Sequence, residues 1–497
     1  MQYSTKDKKK YQFQLGLEVL KIARKFPKHI ALEIEERKFN YQELAQYAKK
    51  IAKSLEGNAQ KYIGILTANT FETYAGILGI LISGKAYVPV KPDLPENRIK
   101  VLLERLKIKT ILCHIPSEKI LQISPDTKQL SYDLIKVNRI VTRKTITSRL
   151  NRTAYVLSTS GSSGIPKLVP ISHSNLEAFF KFFLKEYDFV NHDTFLQPYE
   201  LNFDVSVFSV FMPWLTGGRS VIVPEKGFKH FEIVKTIIRS KTTVLSMVPG
   251  VLESLKNNFK ELNFPSVRLS FFSGDSLHID LVEKWKACIP NAEVHNFYGP
   301  TETTIVCSRY KIENENIENY HQIVSIGKCF PKSEMAILNK NKITQKANQE
   351  GEIIIRGEQV FKSYLGEDKT KGFIKIGNKK WYQSGDKGMK NENGNFLFLG
   401  RMDRQVKING YRIEPAEIEN IVRKKFKIRS VVFKNQKKQN ELCLAIECKK
   451  KINESLIREQ LASKLPSYMI PNKIITMNKF PLNSNGKIDF RKIKGEL

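Results

Sequence analysis

Paired cysteines are missing from this chain. The 497 residues carry six cysteines (Cys113, Cys288, Cys307, Cys329, Cys443 and Cys448), scattered without a CxxC pair. A disulfide frame or a zinc site is therefore not expected, and a reducing cytoplasmic compartment is the natural one. His114 beside Cys113 is the lone Cys–His neighbour pair, and its apolar setting reads as core rather than as a metal site. Long hydrophobic runs are also missing. The longest, Tyr74 to Val90, is broken by Gly76, Gly79, Gly84 and Lys85, so no membrane span is expected. Met1 to Gln12 is lysine-rich, but no apolar signal core follows it. Acidic residues are scarce: Asp+Glu 50 against Lys+Arg 82 gives a net charge of +32. Such a field attracts nucleic acid, acidic membranes or acidic proteins. The basic clusters (Lys8, Lys9, Lys10; Arg423, Lys424, Lys425, Lys427; Lys449, Lys450, Lys451) do not interleave with aromatic residues as a base-stacking surface does. Nucleic-acid binding is thus disfavoured, and a chain-wide lysine habit is the plainer reading.

What is present is globular. The hydrophobic fraction is 41% and the aromatic fraction 10%, which excludes a disordered, collagenous or coiled-coil chain. The length predicts about three compact units. Tyr62–Leu66, Lys109–His114, Ser220–Val223 and Thr243–Val248 read as buried strands. Asn40–Leu55 reads as a helix with Leu44, Ala48, Ile51, Ala52 and Leu55 on one face, opened by a capping box of Asn40 and Glu43. Strand and helix in alternation predict an α/β fold with mainly parallel sheets. After Arg401 the pattern changes. Pro415–Phe426 is a basic amphipathic helix, and Leu442, Leu444, Ile446 and Cys448 alternate as a half-buried strand. The expected division is a large α/β unit over residues 1–400 and a small α+β unit over 401–497.

Five segments carry chemistry. Ser158 to Lys167, STSGSSGIPK, follows an apolar strand. Its glycines allow close backbone approach, its N–H groups and hydroxyls suit oxyanions, and Lys167 supplies charge. It is not a Walker A loop, which needs the lysine directly after the glycine. Asn296 to Thr304, NFYGPTETT, offers a flat ring at Tyr298 and, beyond a Gly-Pro turn, the Thr301 hydroxyl and Glu302 carboxylate. A hard cation needs few protein oxygens when phosphates fill its other positions. Tyr382 to Gly388 places Asp386 where it could accept from vicinal hydroxyls. Gly400 to Glu414, GRMDRQVKINGYRIE, is charged and glycine-punctuated at the junction. In Pro481 to Asp489, PLNSNGKID, a tight Asn-Gly turn holds Lys487 out on a loop.

These five segments, in this order, resemble the adenylate-forming superfamily of acyl-CoA synthetases, luciferases and adenylation domains of non-ribosomal peptide synthetases. Gly84–Pro95 (GKAYVPVKPDLP), Leu465–Pro471 (LPSYMIP) and the Phe-Asp start of Phe203–Gly218 resemble the amino-acid-activating branch. The resemblance implies ATP and Mg²⁺ as cofactors. It assigns the ATP phosphates to Thr159, Ser160, Gly161, Ser162, Ser163, Gly164 and Lys167. Ser273, Gly274, Asn296, Phe297, Tyr298 and Gly299 go to the nucleotide, Thr301 to the α-phosphate and Glu302 to Mg²⁺. Asp386 and Arg401 go to the ribose. It implies Lys487, Thr159, Lys167 and Glu302 as the catalytic groups, Asp403 as a hinge, and Lys407 and Gly410 on a loop that enters for thioester formation.

Within that resemblance Asp204 discriminates, because its counterpart in amino-acid-activating relatives pairs with the substrate ammonium. A carboxylate in the apolar run Val205–Phe211 is costly unless paired. Val205, Phe208, Ser246, Phe271, Ser273, Phe297, Ile305 and Val306 are expected to complete the pocket, and its phenylalanines favour a small neutral amino acid. The implied partner is a separate, acidic phosphopantetheinyl carrier protein, because the chain ends at Leu497 soon after Lys487. D-alanine–D-alanyl carrier protein ligases have this form, although Ser273 stands where that group usually has Cys. The alternatives are an acyl-CoA synthetase of a small carboxylic acid, disfavoured by Asp204, and a basic nucleic-acid-binding protein on a synthetase scaffold.

Overall fold

The computed structural model describes residues 13–135, 153–160, 166–313, 316–344, 346–435, 441–449, 453–481 and 488–495. Two sheets dominate the first 330 residues. One runs in the order Lys128–Ser131, Thr110–Cys113, Tyr62–Leu66, Ala86–Val90, Thr153–Thr159, Lys167–Ser172. Its pairs are parallel except the last, where Thr159 lies opposite Lys167. The second has a parallel centre: Ile30–Ile34, Arg219–Ile222, Thr194–Gln197, Val244–Met247, Leu269–Phe272 and Glu293–Tyr298 are neighbours in that order. Antiparallel strands close both of its edges.

Helices packed between these sheets make the main core. Phe71–Ile82 is apolar on every side, and all but Glu72 of its twelve residues are buried. A helix without a polar face belongs inside, and here it lies against Tyr41–Ser54 within one hydrophobic cluster. The capping box at the start of Tyr41–Ser54 forms as the sequence predicts: Glu43 N–H donates to Asn40 Oδ1 at 2.9 Å, and Asn40 N–H to Glu43 Oε2 at 2.7 Å. A third, antiparallel sheet is built from Ser333–Asn339, Gly351–Gly357, Lys379–Lys390, Phe373–Ile376 and Phe396–Arg401.

Beyond Arg401 the chain forms a hairpin, Val406–Ile408 with Tyr411–Ile413, then the helix Pro415–Phe426 and a three-stranded sheet of Arg429–Lys434, Leu442–Glu447 and Lys473–Met477. Leu442–Glu447 is not half-buried: it is the central strand, and both of its faces are covered. Leu442, Leu444 and Ile446 face the cluster with Ile418 and Val422, while Cys443 and Ala445 face a second one with Phe480 and Ile493. Small residues on the second face hid that burial from the alternation. The basic cluster Arg423, Lys424, Lys425 and Lys427 is exposed on the outer side of its helix and turn, whereas Lys8–Lys10 and Lys450–Lys451 lie outside the described residues.

Candidate active site

The carboxyl ends of the parallel strands open onto one cavity of about 400 Å³. Crevices at strand carboxyl ends are the usual ligand sites of such sheets, because loops diverge there and leave polar backbone unpaired. Ser158, Thr159 and Ser160 line it at the end of one sheet; Asp204, Ser273, Gly274, Gly299 and Thr301 line it at the end of the other. Asp386 and Arg401 enter from the third sheet, and Lys407, Gly410 and Arg412 from the hairpin. An adjoining cavity of about 470 Å³ is lined by Asn296, Phe297, Tyr298, Gly299, Gly274, Arg401 and Asp403. The structure therefore gathers residues separated by more than 250 positions. Gly161, Ser162, Ser163, Gly164 and Lys487 lie outside the described residues.

Two glycines let the hairpin approach. Gly274 and Gly410 both have positive φ, 91° and 82°. A Cβ on Gly410 would come within 2.9 Å of Val248 Cγ1, and one on Gly274 within 3.9 Å of Gly410 Cα. Any side chain at Gly410 would press the hairpin away from the cavity.

Glu302 is fully buried. Arg412 Nη1 lies 3.1 and 3.2 Å from its two oxygens, and the Tyr364 hydroxyl donates to Oε1 at 2.7 Å. Burial pushes the Glu302 carboxyl upward, but Arg412, Tyr364, a backbone N–H and Lys167 outweigh it, so the net shift is downward and the group is ionised. Lys167 Nζ sits 5.4 Å from the Tyr364 ring centre, and its own pKa is lowered by burial and by Arg412. Tyr298 donates to Asp386 Oδ2 at 2.6 Å, and Arg401 Nη1 to Asp386 Oδ1 at 2.7 Å. Asp403 binds the same guanidinium at Nε, 2.9 Å, and Nη2, 2.5 Å.

Asp204 is 8% exposed. Burial raises its pKa to about 6, against the lowering effect of the Thr301 hydroxyl. Beyond it lies a side pocket with only about 10 Å³ of free space, walled by Phe179, Phe183, Val205, Phe208, Ser246, Phe271, Ser273, Phe297, Ile305 and Val306. All eight pocket residues named from the sequence are in that wall. Phe179 and Phe183 are additional, contributed by the helix His173–Glu186, and their spacing on that helix is the spacing of ordinary core.

A nucleotide and a divalent cation suit this donor set. Among the described residues Thr159 Oγ1 and Asn296 Oδ1 are buried without a partner, one at the end of its strand and the other in the ring-lined cavity. Glu302 with the Thr301 hydroxyl would give the few oxygens that Mg²⁺ takes when phosphates supply the rest. Among the described residues no cluster of three or more His, Cys, Asp or Glu offers an all-protein metal cage.

The profile of the AMP-binding enzyme family matches residues 20–365. The chain belongs to that family. Bacitracin synthase 2 of Bacillus licheniformis is 32% identical over 486 aligned residues, covering 94% of this chain but 18% of the synthase. The chain thus spans less than a fifth of the length of that relative. The D-alanine–D-alanyl carrier protein ligase of Bacillus licheniformis is 27% identical over 507 aligned residues, covering 96% of this chain and 98% of the ligase. Among solved structures, the Vibrio cholerae adenylation domain AlmE, in complex with glycyl-adenosine-5'-phosphate, superposes with a TM-score of 0.84. It is 23% identical and covers 99% of each chain, so it establishes the fold as that of an adenylation domain. No helix among the described residues is long and apolar enough to cross a membrane.

Sequence reasoning missed several residues that meet at this cavity. Arg412, Gln405 and Tyr411 stand inside a segment already singled out, yet the partners of Arg412 and Tyr411, Glu302 and Glu200, are more than 100 residues away. Arg412 Nε donates to Gln405 Oε1 at 2.8 Å, and Tyr411 donates to Glu200 Oε1 at 2.9 Å. The basic character of Arg412 carried no local sign of a buried partner.

Proposed function

We propose that the protein activates a small neutral amino acid with ATP, forming an aminoacyl adenylate, and then transfers the acyl group to the phosphopantetheine thiol of a separate acidic carrier protein. The observation that carries this reading is Asp204, a buried carboxylate at the entrance to a nearly filled aromatic pocket, with no cationic side chain bonded to it among the described residues. A substrate ammonium would supply the missing charge, and the pocket leaves room for hydrogen or a methyl group rather than a ring. Glycine and D- or L-alanine come first, then serine and threonine. A fatty or aryl acid would leave Asp204 desolvated and unpaired.

Attack of the substrate carboxylate on the α-phosphorus brings two anions together, so the site must supply donors and positive charge. In this reading Thr159, Ser160, Gly161, Ser162, Ser163, Gly164 and Lys167 bind phosphate. Thr301 and Lys487 meet the α-phosphate, and Glu302 holds Mg²⁺, which screens the phosphate charge when bound. Asn296, Tyr298 and the neighbouring Ser273, Gly274, Phe297 and Gly299 hold the base; Asp386 and Arg401 hold the ribose. Pyrophosphate leaves, the thiol then attacks the acyl carbon, and AMP departs. The units are 1–400 and 401–497, turning about Asp403, with Lys407 and Gly410 on the hairpin that lines the site for the second step. A cytoplasmic location suits both the free thiols and the substrates.

Amino-acid-dependent exchange of labelled pyrophosphate into ATP, screened over D- and L-amino acids, tests the reading. Exchange is expected with the small neutral amino acids and not with Phe or Trp. Fastest turnover with a fatty acid, releasing AMP only when CoA is added, would establish the acyl-CoA synthetase instead.

A further inference from the structure

The hairpin does more than line the cavity. It takes up two groups that the adenylation reading gives to ATP and its metal. The Arg412 side chain occupies both oxygens of Glu302, at 3.1 and 3.2 Å. The Arg412 carbonyl accepts from the Ser160 hydroxyl at 2.6 Å, so a donor assigned to phosphate is turned toward the hairpin. Gln405 braces the guanidinium at 2.8 Å, and its amide in turn meets Glu414. One residue therefore contacts both the metal carboxylate and the phosphate turn.

Occupancy makes these contacts exclusive. Glu302 is fully buried and cannot stand there as an unpaired anion. One divalent cation or one guanidinium satisfies it. Arg412 already takes up both oxygens, so a metal bound there has to displace the guanidinium. The Tyr364 hydroxyl, 2.7 Å from Oε1, can remain in either case, because it is neutral.

We propose that Glu302 is shared in turn between a divalent cation and the guanidinium of Arg412, so that docking of the hairpin requires the metal to have left. This rests on the adenylation reading and deepens it: the metal both screens phosphate and holds the hairpin out. Arg412 takes over its place on Glu302, and Ser160 passes from phosphate to the Arg412 carbonyl.

The test uses the full chain and two measurements that need no turnover. One is hydrogen exchange at the amides of residues 406–413; the other is Mn²⁺ binding, read by electron paramagnetic resonance in the presence of α,β-methylene-ATP. In the wild type, the hairpin is expected to be protected without ligand and to lose protection with Mg²⁺ and the analogue. Arg412→Gln should lose that protection without ligand and bind Mn²⁺ about 5- to 100-fold more tightly, the range of ordinary coupling between two sites. Arg412→Lys, which keeps the charge but not the fork, should fall between them and guards against a folding artefact. Unchanged hairpin protection in Arg412→Gln, or equal Mn²⁺ affinity in wild type and variant, overturns the proposal. Absence of Mn²⁺ binding in both, with pyrophosphate exchange intact, overturns the sharing while leaving adenylation standing. Absence of exchange with every amino acid strikes the adenylation reading, and hairpin protection still reports whether Arg412 is a latch.

Discussion

Arg401 holds Asp386 at 2.7 Å through Nη1 while its Nε and Nη2 hold Asp403 at 2.9 and 2.5 Å. A single guanidinium thus joins the carboxylate assigned to ribose with the one assigned to the hinge. Burial lowers the Arg401 pKa, but the two aspartates reverse this and hold it above its ordinary value. Asp386→Ala is expected to cost about 3 kcal/mol of stability, the usual loss when one partner of a buried pair is removed. ATP binding should weaken with it. Urea unfolding and the KM for ATP in the exchange reaction check both effects; loss of neither would detach Asp386 from the nucleotide.

Asp204 predicts a pH dependence of stability with an unusual sign. Its pKa rises from 3.8 to about 6 on folding. The folded state therefore favours the protonated form. The penalty is absent below about pH 4 and grows between pH 4 and 6, reaching about 3 kcal/mol above that. Asp204→Asn should be more stable than wild type at pH 8 by roughly 1–3 kcal/mol and nearly equal at pH 4. Urea titrations at the two pH values measure the difference.

The same carboxylate should set a pH limit on amino-acid binding. Only ionised Asp204 pairs with an ammonium, so the KM for the amino acid should rise as pH falls below about 6. The slope approaches about tenfold per pH unit. In Asp204→Asn binding should be weak and this slope absent. A flat profile in the wild type would remove Asp204 from the substrate.

Phe271 packs edge-on against Phe297 at 5.2 Å and against Tyr187 at 5.0 Å, and is 2% exposed. Phe271→Ala should enlarge the side pocket and cost about 3–5 kcal/mol of stability. Exchange should then extend to Leu or Met. Stability falling without any widening of the substrate range would place the specificity wall elsewhere.

The +32 charge predicts a difference between the half-reactions. Encounter with an acidic carrier is steered by the long-range field, whereas a small zwitterion entering the cavity is not. Thioester formation should slow as salt rises from about 0.05 to 0.5 M, and pyrophosphate exchange much less. Equal slopes in the two assays would return the charge to composition.

Local chemistry decided much of this protein before any folding. The capping box at Asn40, the helix Pro415–Phe426 and the buried strand segments each follow from neighbouring residues, whose propensities and hydrogen bonds act over a few positions. Strand ends were less legible: Ser220–Val223 is Arg219–Ile222 in the structure, because register against a neighbour sets where pairing stops. The eight pocket residues were legible only through resemblance, since a phenylalanine in a wall and one in a core share the same pattern. Tertiary structure alone brought Glu302 to Arg412, Asp386 to Tyr298, and Phe179 and Phe183 to the pocket. These pairings depend on how sheets and hairpin meet. No residue's own sequence neighbourhood encodes a partner more than 100 positions away, and in a buried site the partner fixes the charge.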